Sequence, residues 1–176
     1  EYFASRVIDK SPDHHRSARQ DKYFDALRNC PNIEVIEGYY REKKERLEAA
    51  DTICIECTHS PRPGYVRGFR TTEKLTDVNI ATEMLKDAYE QKADAYVLIS
   101  GDSDLSRAVR IVRYSIKKPI LVFNPQRGIC NELRKYSTFY RNLEVGCTIG
   151  CKLPESFFAA DGRLIHCPEA WRMPVG

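Results

Sequence analysis

LISGDSDLSRAV, residues 98–109, carries the strongest signal in this chain. An apolar run from Ala95 to Ile99 ends in Ser100-Gly101-Asp102-Ser103-Asp104, and a helical pattern from Leu105 to Ser115 follows at once. An apolar run bounded in this way predicts a strand buried on both faces of a parallel sheet. In open parallel sheets ligands bind beyond the carboxyl ends of the strands. Asp102 and Asp104 fall at that edge. A helix start attracts anions through its free N–H groups, so paired acids there point instead to a hard cation, magnesium or manganese. A helix cap at Asp102 or Ser103, with Asp104 favouring the helix dipole, is the competing account of the same residues.

Downstream, Ile120-Leu121-Val122-Phe123 reads as another buried strand and Ile129 to Tyr136 as the helix after it. Upstream, Thr76 to Gln91 is the strongest helix, with Thr76 as its cap and Val78, Ala81, Leu85 and Ala88 on one face. Running back along the strand that follows, this helix brings Asp77, in its first turn, to the edge that holds Asp102. Tyr2 to Ile8 and Ile33 to Tyr39 read as strands flanking a helix over Arg16 to Arg28, a parallel pair with a right-handed crossover. Glu42 to Ala50 reads as a charged helix, and Thr52 to Thr72 as an insertion or long loop. Alternating strands and helices predict an α/β fold, a three-layer sandwich around a central, mostly parallel sheet. Residues 1–143 form the expected domain, and 144–176, punctuated by glycine and proline, an extension lying across it.

The 176 residues suffice for one core. No apolar run approaches the ~20 residues of a membrane span. The opening residues lack the pattern of a signal peptide. A net charge of +3 does not by itself imply nucleic-acid binding. Seven scattered cysteines suit a reducing cytoplasm better than a disulfide framework. Cys54 and Cys57, with His59, are half of a zinc set that Cys147 and Cys151 could complete only if the fold brought them close; free thiols are the preferred reading. Cys30, Cys130 and Cys167 have apolar neighbours and read as packing residues.

TTEKLTDVNIATEML, DAYVLISGDSDLSRAV and KKPILVFNPQRGICNELRKYSTFYRNL together resemble the NYN domain family, PIN-like proteins of the bacterial LabA-like group. The terminal CPEAW resembles that group's Pro-x-x-Trp ending. The resemblance implies a PIN-like, Rossmann-like fold and a magnesium- or manganese-dependent nuclease acting on RNA, with Asp77, Asp102 and Asp104 on the metal. It also implies a further Asp on a first strand, in an Asp-Gly-x-Asn motif that would precede Glu1; without that strand the sheet would lack its centre, so residues belonging before Glu1 are expected. A catalytically silent RNA- or protein-binding module on the same fold is the alternative. Asp-x-Asp phosphatases and Toprim nucleases fit less well, because they call for acids on other strands. Arg127, after a buried strand, and Lys74, three residues before Asp77, are the candidate phosphate contacts, ahead of Arg107, Arg110 and Arg113, which a solvated helix face explains equally. Ser100 and Ser103 lack a His partner and are grouped with the substrate contacts as turn, capping or supporting groups. Self-association stays open.

Overall fold

The computed structural model describes residues 1–9, 13–48, 65–148 and 151–172. Strand β1 (Tyr2–Arg6), helix α1 (Arg16–Arg28) and strand β2 (Val35–Glu48) form the expected crossover unit, with β1 and β2 parallel from Tyr2↔Val35 to Arg6↔Tyr39. Strand β3 (Tyr65–Lys74) and helix α2 (Thr76–Tyr89) lead into β4 (Tyr96–Ile99), and β5 (Ile120–Asn124) and β6 (Phe139–Asn142) continue its sheet in parallel order β4-β5-β6. A 3-10 turn (Ser103–Leu105), α3 (Ser106–Arg110) and a π turn (Ile111–Ser115) lie between β4 and β5, and α4 (Asn131–Tyr136) precedes β6. The fold is α/β with a parallel sheet, as the strand–helix alternation predicted.

The main core joins α2, α3, α4, β4 and β5 through Met84, Ala88, Leu98, Leu105, Val109, Val112, Ile120, Val122 and Leu133. On α2 the inward stripe is Ile80, Ala81, Met84, Leu85 and Ala88, while Val78 is 61% exposed, a correction to the predicted face. The β4 run is not buried on both faces either. Leu98 faces the core, but Val97 and Ile99 are exposed because α2 to α4 cover one face only. They line a cleft of about 380 Å³ with Tyr2 and Phe3 of β1. The expected single sheet is thus two three-stranded sheets, order β1-β2-β3 and β4-β5-β6, with the β1 and β4 edges facing this cleft.

Two expectations on the chain between β2 and α2 are overturned. Residues 42–48 are strand, not helix, and β3 occupies the latter part of the expected loop. The two pair antiparallel from Tyr39↔Lys74 to Glu48↔Tyr65. Lys43, Glu45 and Arg70 form a cross-strand ion-pair group, with contacts of 3.4 and 3.6 Å. A run of alternating charges satisfies either period; the β-branched and aromatic partner strand decides for the ribbon. The Cys54, Cys57 and His59 set lies outside the described residues.

Beyond β6, β7 (Ser156–Phe158) and β8 (Leu164–His166) form a hairpin that packs on α1 through Ala26, Phe157, Ala159 and Ile165. Trp171 meets Tyr23 edge-on at 6.0 Å. No helix among the described residues is long and apolar enough to cross a membrane.

Candidate metal centre and its acidic edge

β4 delivers Ser100-Gly101-Asp102 to the carboxyl edge of its sheet. Asp102 caps the 3-10 turn, its Oδ1 accepting the Asp104 N–H at 2.9 Å. Its own N–H donates to Ser100 Oγ at 3.1 Å. Ser100 therefore orients the Asp102 backbone, and one carboxylate oxygen of Asp102 is held in a fixed direction. The capping account and the ligand account are compatible, because capping uses one oxygen. Asp104 and Ser103 are exposed.

Gly101 is dictated by contact. A Cβ there would stand 2.3 Å from Asn124 Oδ1 and 2.7 Å from Gln126 Cδ. Asn124, 1% exposed at the end of β5, donates to Gly128 O and to the Tyr140 hydroxyl, both at 2.8 Å, and accepts from Gln126 N–H at 2.8 Å. Asn142 donates to Gln126 O and Gly128 O. Two amides thus shape the loop that carries Arg127, which is exposed at the same edge.

Asp77 reaches the edge from the first turn of α2, a helix that contacts the 3-10 turn. Thr76 is not the cap. Leu75 is the N-cap, in left-handed conformation at φ 74, and the Thr76 hydroxyl donates to Glu73 Oε1 at 2.6 Å and contacts Ser5 Oγ at 2.9 Å. Ser5 is 5% exposed on β1, so this contact ties the start of α2 to the end of β1. A Cβ on Gly38 would meet Lys74 O and Ser5 Oγ at 2.6 Å, so β2 also closes on this joint.

The Asp77 carboxyl is pushed above the ordinary carboxylate range, first by partial burial and then by the negative charges of Asp102, Glu73 and Asp104. Asp102 and Asp104 therefore act on Asp77 electrostatically across two elements. Glu73 is a fourth acid that the sequence reading missed. Reading residues 65–74 as a strand entering α2 would have placed it at this edge. The carboxylate oxygens of Asp77, Asp102 and Asp104 do not all close to within 4.8 Å of each other; among the described residues the trio that does is Glu1, Glu83 and Asp87. That trio lies toward the other end of α2, where Glu83 pairs with Lys86 and Asp87 with Lys92 at 2.8 Å. Lysines pair with two of its three acids, and burial together with the charge of Asp87 still pushes the Glu1 carboxyl above its ordinary range.

The raised Asp77 has a measurable sign. Between the unfolded value of 3.8 and its higher folded value, the native chain binds more protons than the unfolded one, so stability falls as pH rises through that window. Asp77→Asn is therefore expected to raise the melting temperature at neutral pH in chelator and to leave it unchanged below the unfolded value, measured by scanning calorimetry. A lower melting temperature at neutral pH would contradict the crowding.

Other candidates separate. Arg113 donates to Ser137 O and stacks on Tyr114, and Arg110 stacks on Tyr136, so both have structural partners. Lys74 is exposed at the end of β3. Cys147 and Cys151 are free and exposed, with Cys151 Sγ 3.8 Å from Cys147 O, whereas Cys30, Cys130 and Cys167 are half-buried.

The sequence profile of the NYN domain matches residues 10–144. A curated relative, 6-hydroxy-3-succinoylpyridine 3-monooxygenase HspA of Pseudomonas putida, is 27% identical over 97% of this chain, and the chain spans 56% of that relative's length. A solved protein of unknown function from Vibrio parahaemolyticus superposes with a TM-score of 0.47 at 17% identity, over 81% of this chain and 68% of that one.

Proposed function

Because the chain belongs to the NYN domain family, whose PIN-like fold is that of nucleases, we propose that it is a metal-dependent ribonuclease hydrolysing RNA phosphodiester bonds at the edge formed by Asp77, Asp102 and Asp104. The observation that carries the reading is the crowding of acids there: Asp77 is pushed up by burial and by Asp102, Glu73 and Asp104 together. Crowded carboxylates on strand and helix ends are a donor set for a hard divalent cation, magnesium or manganese. When bound, such a cation neutralises phosphate oxygens and makes water a better nucleophile.

The chain's own residues do the rest. Asp102 is held by the Asp104 N–H and oriented through Ser100, and this cap uses one carboxylate oxygen and leaves the second for a ligand. Asp77 and Asp104 supply the remaining charge, and Glu73 keeps the Thr76 hydroxyl and the start of α2 in place. Arg127 and Lys74 flank the acids as phosphate contacts. Residues 1–143 are read as the nuclease domain. The cleft between β1 and β4 fits a further parallel strand, since two strand edges face it and apolar side chains line it.

The test uses protein expressed from its whole reading frame and end-labelled single-stranded RNA. Cleavage with magnesium or manganese that stops in chelator is expected, and Arg127→Ala should weaken RNA binding and lower its salt slope by about 0.7. RNA bound but uncut with any divalent ion would favour the silent binding module. Turnover of 6-hydroxy-3-succinoylpyridine without RNA cleavage would instead assign the activity in the relative's name.

A further inference from the structure

Beyond Glu73 and Lys74 at its base, the β2–β3 ribbon is not used by the acidic edge. Among the described residues, β1 pairs with β2 as far as Tyr39, and from Tyr40 to Glu48 β2 is paired by β3 alone. At ~3.4 Å per residue this is an arm of roughly 30 Å. It returns through Lys74, three residues before Asp77, so its base adjoins the acids. A two-stranded ribbon by itself is marginal in water.

The two faces of the arm differ. On one, Glu45 lies between Lys43 and Arg70 and pairs with both. On the other, Lys44 stands opposite Phe69, with Arg46 and Arg67 paired toward the tip and Glu42 and Thr71 paired toward the base. Phe69 is 63% exposed, and the Lys44 ammonium lies 6.0 Å from its ring centroid. Arg67 is exposed and makes no ion pair among the described residues. An exposed aromatic platform between cations is matched by a ligand with flat unpaired bases and a phosphate backbone.

We propose that this face of the arm grips single-stranded RNA, with one base stacked on Phe69 and phosphates beside Lys44 and Arg67, and leads the strand to the acidic edge. The proposal rests on the ribonuclease reading. It adds a binding surface, and about one arm's length of strand, on one side of the scissile bond.

The experiment measures fluorescence anisotropy of a labelled oligouridylate in chelator, so that binding is read without cleavage. Phe69→Ala is expected to weaken binding roughly 5- to 150-fold. Lys44→Gln with Arg67→Gln should flatten the salt slope by about 0.7 for each phosphate that is no longer neutralised. Phe69→Trp should restore affinity, and its added emission should be quenched by RNA; Phe69→Leu, which keeps apolar bulk without a ring, should not restore affinity. Unchanged affinity and salt slope in the arm variants, in a parent that binds RNA, would overturn the arm and leave the ribonuclease reading standing. A parent that binds no RNA, or arm variants that lose duplex DNA and RNA equally, would overturn the arm as well, the first outcome taking the ribonuclease reading with it. Circular dichroism of each variant verifies the ribbon, and rescue by Phe69→Trp separates stacking from misfolding.

Discussion

Asp102→Asn is expected to abolish metal-dependent RNA cleavage while the protein stays folded. Asn retains the Oδ1 that accepts the Asp104 N–H, so the cap survives at a cost of ~1 kcal/mol or less. The variant gives up a full negative charge, the first of those that act on Asp77 beside Glu73 and Asp104. Loss of a partner that only supports a ligand typically costs ~10–100-fold, so removing the ligand charge itself should cost at least ~100-fold. The measurement is single-turnover cleavage at saturating manganese, beside a melting curve. Cleavage within a few-fold of the parent would remove Asp102 from the chemistry.

The second large effect is structural. Gly101→Ala drives a methyl into Asn124, whose amide has no room to retreat because it bonds Gly128 O and the Tyr140 hydroxyl. Overpacking against a buried, fully bonded amide costs about 2–3 kcal/mol. At this chain length the melting temperature should fall by roughly 5–10 °C. The displaced loop carries Arg127 and the displaced strand end carries Asp102, so RNA affinity should drop with stability. A variant that melts with the parent would show that the Gly101–Asn124 approach is not tight in solution.

The acidic edge was legible in the sequence because two signals change at one point. Apolar character stops at Ile99, glycine follows, and carboxylates appear where a helix begins. α2 and β5 were legible for the same reason, as runs long or apolar enough to allow one period. The ribbon was not. From Tyr40 to Glu48 nearly every residue is charged, so no apolar face marks the period, and pairing with β3 rather than propensity sets the conformation. With β3 unread, Glu73 could not be assigned to the edge. Thr76 looked like a cap by type, but its hydroxyl is engaged by Glu73 and Ser5, and Leu75 makes the turn in a left-handed conformation instead. β4 looked buried on both faces from its composition alone; its second face looks into the cleft beside β1, an arrangement that depends on which strands are neighbours.

The ribonuclease reading stands or falls on whether Asp77, Asp102 and Asp104 hold a divalent cation. Manganese titration, followed by calorimetry on protein expressed from its whole reading frame, tests this without reference to any substrate. The parent should bind manganese, Asp102→Asn and Asp77→Asn should each lose that binding, and Glu83→Gln, in the lysine-paired trio at the other end of α2, should keep it. Identical isotherms for the parent and the two aspartate variants, or loss in Glu83→Gln alone, would contradict a metal centre at this edge.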